Sequence, residues 1–149
     1  MTSKVSVKNT RIGGLGPVAV VRLTDGHGWA PDLQAWPFHL YEATRAAWKK
    51  TPASGDFTKA TIVLSAHNGT VYEAYRVAGW FDANSTMNSK PSKPHENGRK
   101  EFVGNVVDDS SIRALFINAS IKNLFKRGNQ TPIRVFAKLV RRHNELISV

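Results

Sequence analysis

The sequence predicts an α+β domain in which a strongly bent mixed or antiparallel sheet, or a partial β-barrel, is flanked by two helices. Three observations point there. Short runs rich in β-branched residues at 17–23, 60–66, 70–81 and 133–140 are punctuated by Gly, Pro and Asn, the pattern of strands separated by turns. Two of these runs are joined by Asn68-Gly69, a dipeptide that favours the two-residue hairpin turn. Two other stretches, near 38–50 and 120–127, place apolar residues at helical spacing. With 149 residues, 41% of them apolar, and four Trp and seven Phe, the chain has material for one core and fits one domain.

Taken in order, residues 1–16 read as a flexible basic arm closed by Gly13, Gly14 and Gly16, and the folded domain as 17–149. Pro17 to Leu23 is a buried strand, followed by the turn-rich loop TDGHGWAPD. Trp36-Pro37 opens a helix, with proline in the first turn, where a missing N–H costs nothing. Leu40, Tyr41, Ala43, Thr44, Ala47 and Trp48 share its apolar side, leaving Glu42, Arg45 and Lys49 on the wetter one. The hairpin at 60–81 follows. Residues 82–98 (DANSTMNSKPSKPHENG) form a long polar loop, and Lys90, Lys93, Arg99 and Lys100 in and after it suit phosphate contacts as well as plain solvation. A strand is expected at 100–107, with a cap among 108–111, and 112–118 fits helix or strand. A helix at 120–127 would bury Ile121, Leu124 and Phe125 and stop at Gly128. Along 133–140, Ile133, Val135, Ala137 and Leu139 alternate with Arg134, Phe136, Lys138 and Val140.

Charge is unevenly distributed. Eight of the 21 Lys and Arg (Arg113, Lys122, Lys126, Arg127, Arg134, Lys138, Arg141 and Arg142) fall between Asp109 and Glu145, a stretch without a single carboxylate. Such a surplus attracts polyanions, and nucleic acid, whose phosphates release condensed counterions on neutralisation, is the expected partner class. These eight are the candidate phosphate contacts. Phe136 among them could stack on an unpaired base, but an aromatic in a strand belongs to a core more often. A second candidate is an aromatic pocket: Gly26 and Gly28 would let a loop present His27 and Trp29 beside Tyr41, Arg45 and Trp48 of the following helix. The alternative is that the aromatics are core and that Glu42 and Arg45 form a surface pair.

Enzymatic chemistry finds little support, and whether the chain is an enzyme stays open, with the negative answer favoured. No cysteine is present, which removes disulfides, thiolate metal sites and a thiol nucleophile. The five histidines are scattered, there is no phosphate-binding glycine loop or nucleophile elbow, and no cofactor or metal is expected. A site built from His67, Glu73 and Arg45 is the one catalytic combination worth naming. No signal peptide or membrane-spanning run stands out, so a cytoplasmic protein without membrane contact is expected.

The phrases HLYEATRAAWKK, GTVYEAYRVAGW, RKEFVG and KRGNQTPIRVF together resemble a small, basic bacterial or phage family. In it YEATRxxW precedes a hairpin rich in GxVYxxYxVxxW, then RxxFxG and a Gly-Gln-Pro segment. The resemblance covers Tyr41 to Phe136 and implies an order of elements but no catalytic residue. Thr131 departs from it, standing where Asn is expected before the proline. Aromatic-rich, basic strands with two helices are also similar to PUA-like modules, an analogy at the level of fold. The expected function is nucleic-acid binding, DNA or RNA. A small nuclease or base-processing enzyme is one alternative, and a phage or host-defence factor docking on an acidic protein is the other.

Overall fold

The computed structural model describes residues 15–23, 36–87, 98–126, 128 and 130–149, with the backbone alone at 36–39. The arm at 1–14, His27, Trp29, residues 88–97 of the long loop, Arg127 and Asn129 lie outside the described residues.

Eight strands and two helices follow one another along the described chain. They are β1 (Val18–Leu23), α1 (Trp36–Arg45), β2 (Trp48–Lys49), β3 (Ile62–His67), β4 (Thr70–Asp82), β5 (Arg99–Val106), α2 (Ser110–Phe116), β6 (Ile133–Phe136), β7 (Leu139–Arg142) and β8 (Glu145–Ser148). Six strands form one mixed sheet in the order β2-β5-β4-β3-β1-β6, in which only β1 and β3 run parallel. The chain leaving β2 turns at Thr51–Ser54 and offers the Ser54 carbonyl to the N–H of Val135 in β6, 3.0 Å away. One edge of the sheet is thereby tied to the other, and the sheet is nearly closed, in keeping with the strongly bent sheet or partial barrel expected from the sequence.

Every one of the six strands contributes to the barrel interior. Ala19, Val21 and Leu23 of β1, Trp48 of β2, Val63 of β3, Tyr75 of β4, Phe102 of β5 and Ile133 of β6 pack with Leu40 of α1 and with Phe57 of the 3-10 turn Phe57–Lys59. Alternation along β1 and β3 sends Val18, Val20, Ile62 and Leu64 to the outer face, and the register shift in the β3–β4 pairing brings both Val71 and Ala74 to it. There they meet a cover made by Ile112 and Phe116 of α2, Ile121 and Leu124 of the segment after it, Leu139 of β7 and Leu146 of β8.

The hairpin forms as expected. Asn68 (φ 52°) and Gly69 (φ 79°) both occupy the left-handed region that the tight turn demands, and β4 returns antiparallel to β3. Its length permits pairing with β5 on the other edge, where the register shifts between Val77 and Gly79. Among the described residues no helix is long and apolar enough to cross a membrane.

Three expectations need correction. The second helix is α2, not 120–127. Asp109 caps α2, its carboxylate accepting from the N–H groups of Ser111 (2.9 Å) and Ile112 (3.2 Å), while Ile112 and Phe116 form its buried side. Residues 120–126 instead make turns, because tertiary pairing claims their backbone. The N–H of Ser120 donates to Asn144 O, that of Ile121 to Gly69 O, and Ser120 O accepts from Leu146. The apolar spacing at Ile121 and Leu124 is nonetheless used for burial. The strand expected over 133–140 breaks at Ala137–Lys138, and the chain then forms the hairpin β7–β8 with His143 at φ 56° in its turn. Finally, α1 stops at Arg45, and Arg45 is 2% exposed rather than on the wet side.

Candidate nucleic-acid interface

The acid-free run folds into one region. It supplies β6 at the sheet's edge and nearly all of the outer cover: α2, the turns at 120–126 and β7. Pairing of Ser120 with both Thr70 and Glu145 locks the turn segment between β4 and the β7–β8 hairpin. Lys122 and Arg142 thereby come to flank Glu145: Lys122 by an ion pair of 2.8 Å, Arg142 as its cross-strand partner.

The expected phosphate contacts divide into two groups. Lys122, Lys126, Lys138 and Arg142 are exposed at the surface of this region. Lys126, Lys138 and Arg142 make no ion pair among the described residues, whereas Lys122 shares Glu145 with Asn123 (2.5 Å). The hydrogen bond between Lys122 and Glu145 raises the amine's pKa and, together with that from Asn123, lowers the carboxylate's.

The remaining described arginines hold the fold. Arg113 binds Glu73 at 2.6 Å and donates to Val107 O at 3.0 Å, so a carboxylate from β4 compensates a run that carries none of its own. Arg141 donates through Nη1 to the carbonyls of Ala114 (2.9 Å) and Ile117 (3.0 Å), satisfying the end of α2, and through Nε to His143 O (3.0 Å). Arg134 reaches Leu124 O (3.0 Å), and its guanidinium lies 5.0 Å from the centre of the Phe136 ring. Phe136 itself is buried in the outer core, edge-on to Phe125 at 6.1 Å.

A further arginine, unmarked by sequence pattern, joins this edge. Arg22 of β1 stacks 3.9 Å from the centre of Phe125, donates to Thr131 O and is anchored by its own N–H on Pro132 O (2.7 Å). Partial burial lowers its pKa, but an arginine stays charged at any physiological pH. Two guanidiniums thus bracket a pair of phenyl rings, in the order Arg22, Phe125, Phe136, Arg134. The only signal in the sequence is one Arg inside the apolar run VAVVRL.

The described members of the expected aromatic pocket belong to the barrel. Tyr41 packs on Tyr75 (5.4 Å) and Phe102 (6.1 Å) and accepts from the N–H of Gly104 (3.0 Å). Trp48 is buried and donates its indole N–H to Thr44 O (2.7 Å), satisfying a carbonyl at the end of α1. Arg45 is paired with Glu101, not with Glu42 in a surface pair. His67, Glu73 and Arg45 go separate ways: His67 lies edge-on to Tyr72 (6.0 Å), Glu73 holds Arg113 and Arg45 holds Glu101. Among the described residues no three His, Asp or Glu side chains converge as metal ligands would. Compared with family models, with curated proteins and with solved structures, the chain matches none.

Proposed function

We propose that the chain is a nucleic-acid-binding protein whose outer cover contacts the phosphate backbone. The observation that carries this reading is the gathering of the acid-free run into one layer, where Lys122, Lys126, Lys138 and Arg142 are exposed and Glu145 is the lone carboxylate from the run's margins to pair with any of them. Cations clustered on one layer bind polyanions through released counterions, without needing a sequence-specific contact. The resemblance of four segments to a small basic bacterial or phage family belongs to the same proposal, and the partner class implies a cytoplasmic location.

The test is fluorescence anisotropy with labelled single-stranded and duplex DNA and RNA across a salt series, with magnesium present and products checked on a gel. Lys126, Lys138 and Arg142, the three without an ion pair among the described residues, give a slope of log affinity against log salt of roughly −2 to −3, and Lys126→Ala/Lys138→Ala/Arg142→Ala removes about 0.9 of that slope per lost contact. Absent or salt-insensitive binding overturns the reading and redirects the search to acidic protein partners. Cleavage of the oligonucleotide would establish an enzyme instead of a binding module.

A further inference from the structure

A second group of lysines lies outside the acid-free run and comes from three separate segments. Lys50 follows β2, Lys59 ends the 3-10 turn and Lys100 lies in β5, yet all three line one open groove of about 810 Å³. That volume falls within the roughly 300–1,000 Å³ typical of ligand clefts. Lys50 is held at the rim by Asp56 (3.6 Å) and Lys100 by Asp82 (2.5 Å), while Lys59 makes no ion pair among the described residues.

The groove also offers an aromatic surface. Phe81 is 43% exposed, in the end of β4 that runs on past β3 and pairs with β5 alone. Its ring folds back along its own strand, so that a Cβ added at Gly79 would stand 2.9 Å from the ring's far end. Only glycine leaves room for the ring there. Trp80, the next wall, is fixed: its indole packs 5.3 Å from both Phe57 and Phe102 and donates to Ala60 O at 3.1 Å. An exposed ring on a rigid wall, edged by amines, matches the two demands of an unpaired nucleotide, a face to stack on and cations for the flanking phosphates.

We propose that this groove binds an unpaired nucleotide of a single strand, the base stacked on Phe81 and the phosphates met by Lys59, Lys50 and Lys100. The proposal rests on the nucleic-acid reading and adds to it a site for single strands, separate from the residues of the cover. A paired base in a duplex has no free face to offer Phe81.

The experiment measures binding of a short single strand, of its duplex and of a mononucleotide to the whole protein, alongside Phe81→Ala, Phe81→Tyr and Lys59→Gln. Stacking of one base predicts that Phe81→Ala weakens the single strand about five- to a hundredfold. Phe81→Tyr keeps the stack and retains affinity, Lys59→Gln weakens the single strand and lowers its salt slope, and duplex binding changes less than about twofold in all three. In the unaltered protein the single strand, and not the duplex, shifts the indole N–H resonance of Trp80. Single-strand affinity that is the same in all variants overturns the groove assignment, and intact duplex binding in that case leaves the wider reading standing. A mononucleotide that binds as tightly as the strand overturns the assignment to strands. Failure of the unaltered protein to bind either form overturns both.

Discussion

Arg45 and Glu101 are 2% and 0% exposed and face each other at 3.5 Å between Nη2 and Oε2. Burying two charges is unfavourable unless each is also hydrogen-bonded, and here both are. Arg45 donates through Nε to Phe102 O (2.9 Å), through Nη1 to Met87 O (3.2 Å) and through Nη2 to the Thr86 hydroxyl. Glu101 accepts from the backbone of Asn84 (2.8 Å) and Thr86 (3.0 Å) and from the same hydroxyl. The pair therefore ties α1 to β5 and anchors the turn that follows β4 at Asn84, Thr86 and Met87.

Breaking this pair should be costly from either side. Arg45→Met leaves a buried carboxylate uncompensated, and a loss of about 3–5 kcal/mol is expected in urea unfolding. Glu101→Gln keeps one acceptor for the loop's N–H groups but strands the guanidinium, so it should also destabilise. The double change Arg45→Met/Glu101→Gln should recover part of the loss, since no unpaired charge remains. Strictly additive losses would show that the two charges do not act as a pair.

Two glycines of the β4–β5 irregularity should respond in opposite ways. A Cβ at Gly104 would stand 2.3 Å from the carbonyl oxygen of Arg76, and backbone cannot swing aside. Gly104→Ala is expected to lower stability by about 1–3 kcal/mol, read as a fall in Tm. At Gly79 the obstacle is the far end of the Phe81 side chain, which can rotate. Gly79→Ala should leave Tm nearly unchanged and weaken single-strand binding by displacing that ring.

Sequence pattern revealed these features unevenly, for physical reasons. The hairpin was legible because Asn68-Gly69 has few conformations compatible with its neighbours, and β1 because an apolar β-branched run buried on both faces has a local signature. The contact that closes the barrel was not, since the Ser54–Val135 hydrogen bond joins residues far apart in sequence. The same distance hid Glu101 from Arg45 and Glu73 from Arg113. At 120–126 the apolar spacing correctly marked Ile121 and Leu124 as buried, but spacing alone cannot tell a helix from turns whose N–H groups are taken by neighbouring strands. The acid-free run was visible as composition. Three of its described arginines, however, Arg113, Arg134 and Arg141, turned out to be structural where the lysines are not.

Tyr75 gives the fold an alkaline limit. Burial in the barrel, with Glu73 and Tyr41 adding repulsion, pushes its phenol well above the ordinary value near 10. A folded-state pKa above the unfolded one means that the native state holds the proton longer. The associated stability is complete below about pH 10 and is lost as pH rises from there toward the folded-state value. Urea midpoints should therefore fall as pH rises above about 10, and Tyr75→Phe should flatten that fall. An equal fall in the variant would assign the alkaline limit to other groups.

Glu145 restrains the cover that is proposed to meet phosphate. It holds Lys122 by a 2.8 Å ion pair and accepts from Asn123 at 2.5 Å, yet all of these contacts are at the surface. An exposed pair of this kind adds little to folding, so its removal should hardly move Tm. Its effect on binding should be larger, because Glu145→Gln frees Lys122 and removes the carboxylate that phosphate would have to approach. If the cover binds nucleic acid, affinity rises at low salt and the slope of log affinity against log salt steepens by about 0.9, one additional phosphate contact. The companion change Lys122→Gln should lower affinity only slightly, as that amine is already engaged in the unaltered protein. Unchanged affinity and slope in Glu145→Gln would place the phosphate path away from Lys122, toward Lys126, Lys138 and Arg142.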